Sequence, residues 1–191
     1  MKNINLTLKE NQEKILPLIW TEGSEEINVN AKLEGRGARL SILGALFLAN
    51  SDQVKLNINI DHIGEDTFSD TLIKSVLTDQ AVGNFYGLVK IKKGAKNTNT
   101  YFREDALLLS KQAKAEAIPS LEIDENEVKA GHASTVGPVD SEQLFYLTSK
   151  GITQEEAKKL IVQGYFHSIT EQLSEAEKEK LNTFLSKINF V

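Results

Sequence analysis

The stretch Val54-Lys55-Leu56-Asn57-Ile58-Asn59-Ile60 alternates apolar and polar residues, and Ile27-Asn28-Val29-Asn30-Ala31-Lys32-Leu33 does the same. A side-chain period of two marks a strand with one face in a core and the other in water. Outward from these two runs, further strands are predicted around Leu72–Leu77, Phe85–Ile91, Thr98–Phe102, Ala115–Glu122 and Val128–Ala133. Turn formers separate them: Gly35 and Gly37, Asn50-Ser51-Asp52, Gly64-Glu65-Asp66, Thr78-Asp79-Gln80, Lys93-Gly94-Ala95 and Asp124-Glu125-Asn126. Turn residues at such regular intervals indicate a sandwich, a barrel or a coiled solenoid.

Three features point toward the solenoid. Two-residue hairpin signals such as Asn-Gly and Asp-Gly are absent, so consecutive strands need not be antiparallel neighbours. Almost no helical pattern interrupts the region, which disfavours strand–helix–strand crossovers. The polar positions are Asn, Thr, Ser and Lys, as a wet outer surface requires. A parallel β-helix satisfies all three, with a sandwich still open on pattern alone.

The period changes near Val136–Asp140. Asp140 can cap a helix beginning at Ser141, carrying Leu144, Phe145 and Leu147 and ending at Gly151. Thr153-Gln154-Glu155-Glu156 is a capping box, in which the Thr hydroxyl and Glu carboxylate reciprocally satisfy free N–H groups. The helix it opens is expected to place Ala157, Leu160, Ile161, Gly164 and Tyr165 on one face. Ser174-Glu175-Ala176-Glu177 repeats the pattern before Leu181, Phe184, Leu185 and Ile188. The organisation read from sequence is a short segment over 1–25, a β-helix core over 26–138 and a helical region over 139–191.

Composition narrows the function. The chain has 191 residues, 40% hydrophobic and 26% charged, enough for one domain with a substantial core. A formal net charge of −5 argues against a phosphate-backbone binder, so no nucleic acid is expected. The apolar run Ile42–Ala49 is too short to cross a bilayer, and the N-terminus lacks the features of a secretory signal. A cytoplasmic protein with no membrane association is expected. Cysteine is absent, which removes both disulfides and thiolate metal ligands.

A family resemblance rests on an ordered set of short motifs. Asp61-His62-Ile63 is followed by Thr67-Phe68-Ser69-Asp70, Gly94-Ala95 and Leu107-Leu108-Leu109-Ser110. Then come Ile118-Pro119-Ser120-Leu121-Glu122-Ile123, His132-Ala133-Ser134-Thr135-Val136-Gly137, Gln143-Leu144-Phe145-Tyr146-Leu147, Gly151-Ile152 and Ala157. In order and spacing these resemble the SufB/SufD family, scaffold proteins of the Suf iron–sulfur assembly system. The resemblance implies a right-handed parallel β-helix followed by a small C-terminal α-helical region. It also implies pairing of two subunits, as a homodimer or with a SufB-like subunit, and docking of the SufC-like ABC ATPase through the C-terminal helices. Two departures stand out. The long N-terminal helical region usual in the family is not matched, and the cysteine of the SufB branch is replaced near Glu104, leaving a SufD-like chain.

The candidate residues follow. His132 matches a family histidine near the subunit interface; imidazole can ligate iron, and the alternative is a packed histidine bonding between rungs. Glu104 falls near the cysteine of cysteine-bearing relatives. Its carboxylate could hold iron, or be a solvated charge beside Arg103 and Asp105, the reading favoured on charge pattern. No metal or cluster is expected to stay on the isolated chain, although a transient iron–sulfur cluster or iron at a dimer interface is compatible with these donors. His62 with Asp61, Glu65, Asp66 and Asp70 could bind a cation or simply form a turn. Gly35-Arg36-Gly37 lacks the third glycine of a dinucleotide loop and reads as a turn. No Walker motif is present, Ser134 lacks a nucleophile-elbow context, and His167 reads as a surface residue. No catalytic residues are expected. Leu144, Phe145, Leu147, Leu160, Ile161, Tyr165 and Phe166 exceed what two short helices need to cover one end of a β-helix, and are the expected ATPase contacts. The competing reading is an ATPase-binding structural or regulatory module with no direct cluster role.

Overall fold

A computed structural model describes residues 1–187. Ten strands occur among them: β1 (Lys2–Leu8), β2 (Glu13–Trp20), β3 (Glu25–Leu33), β4 (Arg39–Leu48), β5 (Gln53–His62), β6 (Phe68–Leu77), β7 (Val82–Ile91), β8 (Asn99–Leu108), β9 (Lys114–Ile123) and β10 (Lys129–Pro138). The odd strands form one sheet in the order β1-β3-β5-β7-β9 and the even strands a second, β10-β8-β6-β4-β2. The pairings are parallel. Each strand hands the chain to the opposite sheet, so two strands make one rung and five rungs stack into a parallel β-solenoid.

The alternating pattern produces this geometry directly. In-facing positions stack in columns, such as Ile4–Val29–Ile58–Gly87–Pro119. Val29, Leu33, Leu40, Ile42, Leu56, Ile58 and Ile60 are 0–1% exposed and fill the space between the sheets, each such burial contributing about 1.5–3 kcal/mol. Gly87 is required by size, because the Phe102 ring occupies the place where its side chain would stand. Out-facing asparagines form ladders across rungs: Asn57 Nδ2 donates to Asn28 Oδ1 at 2.7 Å, and Asn59 Nδ2 to Asn30 Oδ1 at 3.1 Å.

The corners recur as well. Asn11, Gly37, Asp66 and Asn97 have φ of 54°, 70°, 56° and 59°, one left-handed residue per rung. The N–H of each donates to a carbonyl of the next rung, at Arg36, Glu65, Lys96 and Glu127 respectively. Glycine, asparagine and aspartate tolerate this conformation best. Gly23, Asn50 and Asp79 are also left-handed, at the opposite corner, where the Asn50 N–H donates to Asp79 Oδ2 at 2.8 Å.

Three expectations need correction. The 1–25 segment is not a preamble to the first strand; it carries β1 and β2, the first rung. β4 was not anticipated as a strand, because Ile42–Leu48 shows no alternation. It is buried on both faces, with Leu40, Ile42 and Leu46 inward and Leu43, Ala45 and Phe47 under helices, and two-sided burial erases a period of two. The helices α1 (Ser141–Ser149), α2 (Gln154–Thr170) and α3 (Glu175–Lys187) also do not simply cover an end. α2 and α3 lie on the outer face of the even-strand sheet, where Val162, Phe166, Ile169, Leu181 and Leu185 meet Leu43, Ala45, Phe47 and Val76 in a second core.

The buried face of α2 is therefore Ala157, Ile161, Val162, Phe166 and Ile169. Leu160 and Gly164, expected on that face, point to solvent. The caps form as expected: Asp140 accepts from the Glu142 N–H at 2.9 Å, and Thr153 and Glu156 close their box. The Phe184 side chain and Ile188 lie outside the described residues.

Candidate functional site

The last rung ends in an open mouth. β9 and β10 are the terminal strands of their sheets, and each has a neighbour on one side only. Ala115, Ala117, Pro119 and Leu121 of β9 continue the in-facing columns of β7, and Ala130, His132, Ser134 and Val136 continue those of β8. No further rung covers them among the described residues. His132 and Val136 are exposed, Val136 by 42%.

His132 sits over Phe102 and Ser134 over Glu104. His132 and Glu104 thus share the in-facing side of adjacent strands, offset by two residues. Strand spacing and rise put their Cα atoms about 8 Å apart. The reading of His132 as a packed inter-rung histidine does not hold; that description fits His62. The His62 ring is fully buried, with Nδ1 2.8 Å from Thr67 Oγ1 and Nε2 2.8 Å from Ser69 Oγ. Burial pushes its pKa down to about 4. His62 therefore turns away from Asp61, Glu65, Asp66 and Asp70, and no cation cluster forms there.

Glu104 is the larger correction. It is 1% exposed, not a solvated charge. Alternation decides this: residues 103 and 105 face outward, where Arg103 Nε donates to Asp105 Oδ2 at 2.8 Å, and residue 104 faces the core. Its Oε2 has no hydrogen-bond partner. Burial first, and then the neighbouring Asp105 charge, push its carboxyl pKa up to about 8. An acid so placed is largely protonated at neutral pH.

The interior is polar at the corner that holds His62, while Glu104 itself stands between in-facing Phe102 and Ala106 and beside Ile73. Ser69 Oγ and Thr100 Oγ1 lie 2.6 Å apart, and Thr67 Oγ1 and Thr98 Oγ1 2.9 Å apart. The rungs near β1 and β2 are lined by Leu, Ile and Val instead. Glu125 anchors the loop leading to β10: its carboxylate accepts from the Gly94 and Asn126 N–H groups at 3.0 and 2.8 Å, and these bonds hold its pKa down to about 2. Among the described residues no three His, Asp or Glu side chains converge as a metal site. One chain offers two separated donors at this mouth, short of a coordination sphere.

On the helical side, Phe145 and Tyr146 of α1 are 74% and 60% exposed, and Leu160 is 47% exposed. Leu144 and Leu147 are half-buried, and Ile161 and Phe166 belong to the core, so the last two are unavailable as docking contacts. Tyr165 is half-buried at a polar seam. Lys74 Nζ donates to the Tyr165 carbonyl at 2.7 Å and sits 4.6 Å from the ring centroid. The Tyr165 hydroxyl and Asp105 Oδ1 are both buried there without partners. Tyr146 and the Lys74 seam were missed in sequence, the seam because its strand and helix residues lie 91 positions apart.

Residues 20–165 match the family model described as SUF system FeS cluster assembly, SufBD core domain. The chain belongs to the SufB/SufD family. It is 34% identical over 164 residues to an iron–sulfur cluster assembly SufBD family protein of Mycobacterium leprae (strain TN), covering 81% of this chain and 42% of that protein. It is 38% identical over 129 residues to the iron–sulfur cluster assembly protein SufD of Bacillus subtilis (strain 168), covering 67% of this chain and 30% of SufD. The chain therefore spans less than half the length of these SufBD relatives. No helix among its described residues is long and apolar enough to cross a membrane.

Proposed function

We propose that this protein is a noncatalytic scaffold subunit of a SUF-type iron–sulfur assembly complex. Its last rung pairs with a second copy of the chain, and its exposed helical surface docks an ABC-type ATPase. One observation carries the reading: the edges of β9 and β10, unpaired among the described residues, frame a mouth in which His132 stands two residues out of register from a buried, unpartnered acid. Edges of this kind invite another strand, and burying an orphan carboxyl oxygen costs free energy unless something uses it. Pairing two mouths would bring two imidazoles and two carboxyls together, a donor number that one chain lacks. Iron or a nascent cluster is the cargo, held transiently through nitrogen and oxygen, which bind ferrous iron more weakly than thiolates do. Phe145, Tyr146 and Leu160 are the proposed ATPase contacts, and the Lys74–Tyr165–Asp105 seam joins that surface to the strand carrying Glu104.

The test is anaerobic ferrous iron titration of wild type, His132→Ala and Glu104→Gln. Weak binding in the wild type, lost by at least tenfold in each variant, supports the scaffold reading. Identical binding in all three contradicts it and favours an ATPase-binding module without cluster chemistry.

A further inference from the structure

At the opposite end of the solenoid β1 and β2 close their sheets with no further strand among the described residues, and the chemistry there is different. A cavity of about 430 Å³ enters the core there, between the first rung and α3, within the size range of small-molecule sites. Its floor is made of in-facing Leu18, Ile27, Leu46 and Leu56, which are 8%, 4%, 1% and 1% exposed. Trp20 forms a wall, its indole N–H donating to the Gly23 carbonyl at 3.1 Å.

Sequence explains the space. Lys2 holds the in-facing register position beside Ile27, where the neighbouring rungs carry apolar side chains. A lysine there carries its ammonium to the mouth and leaves the volume beneath it unfilled. Lys180 of α3 contributes a second ammonium at the rim. Glu177 is the acid among the lining residues, and Glu25 lies close enough to Lys2 for their charges to interact. Glu177 Oε2 accepts from the Ser174 N–H and hydroxyl at 3.0 and 2.8 Å, and Glu25 faces the N-terminal ammonium. Lys2 and Lys180 form no ion pair among the described residues.

An apolar shaft under two lysines, neither in a close ion pair among the described residues, suits an amphipathic anion. We infer that this cavity binds a linear aliphatic carboxylate, its chain against Leu18, Trp20, Leu46 and Leu56 and its head group between Lys2 and Lys180. The site is independent of the scaffold reading, lying at the other end of the solenoid from His132. The same chemistry could reach the cavity as a free acid or from a lipid surface, and the geometry points to the free acid, because the floor is recessed into the core.

Trp20 is the only tryptophan in the chain, so its fluorescence reads the cavity directly. The experiment titrates the full chain with decanoate below its micellar concentration, with decanol and acetate as comparisons. A saturable change with decanoate, weaker with decanol and absent with acetate, is expected. Lys2→Glu and Lys180→Glu should each weaken decanoate by about threefold to tenfold with unchanged circular dichroism. No saturable change overturns the site. Equal response to decanol and decanoate, indifferent to both charge reversals, overturns the anion assignment. A response to phosphatidylglycerol vesicles but not to decanoate overturns the free acid as ligand.

Discussion

Glu104→Gln isolates the ionisation of the buried acid while keeping its shape. The folded carboxyl has a pKa of about 8 against an ordinary 4.5. Between these values the native state holds a proton that the unfolded state has released, so stability falls as pH rises through this window. At about 1.4 kcal/mol per pH unit, the wild type should lose on the order of 4 kcal/mol between pH 5 and pH 9 from this group, most of it by pH 7. Gln cannot ionise and should lose none. His62 works in the opposite sense: its folded pKa of about 4 lies below the ordinary 6.5, so its contribution is lost as pH falls from 6.5 to 4. Because His62 is common to both proteins, it cancels in the difference. Urea denaturation of both proteins at pH 5, 7 and 9, followed by circular dichroism, gives that difference. A gap in favour of Gln that widens with pH supports a buried, protonated Glu104. Parallel stability profiles would refute it.

Gly87→Ala should cost about 1–3 kcal/mol, because the new methyl must displace the Phe102 ring; thermal denaturation measures it, and an unchanged midpoint would contradict the packing described. Tyr165→Phe removes a hydroxyl that is buried without a partner, so stability should change by less than about 1 kcal/mol or rise slightly; a loss above 2 kcal/mol would show that the hydroxyl has a partner. Phe145→Ala with Leu160→Ala should leave the melting temperature within a degree or two and weaken capture of the ATPase at least tenfold, and undiminished capture would remove α1 as its docking surface.

Alternating strands such as β3 and β5 were legible because each has one dry and one wet face, the condition under which period and burial coincide. β4 was illegible because helices cover its second face. β1 and β2 were overlooked because Lys2 interrupts one in-facing column and Pro17 one apolar run, although Asn11 and Gly37 already begin the left-handed corner series that continues at Asp66 and Asn97. At the mouth, the identity of His132 could be read from motif, while the burial of Glu104 depended on which of three consecutive charged residues faces inward. The strand register settles that, and a charge run alone does not. The α2 face is rotated by about one residue from the expected one: Leu160 and Gly164 turn to solvent, and Val162 and Phe166 pack against the outward side chains of β4 and β6.

The central claim is that the last rung is an interface, and sedimentation velocity of the purified chain tests it most directly. At tens of micromolar the protein should run as a dimer. Val136→Lys, which sets a charge among the in-facing residues of the open rung, should convert it to a monomer with unchanged circular dichroism. A wild type that stays monomeric over that range, or a dimer that survives Val136→Lys, would contradict the account.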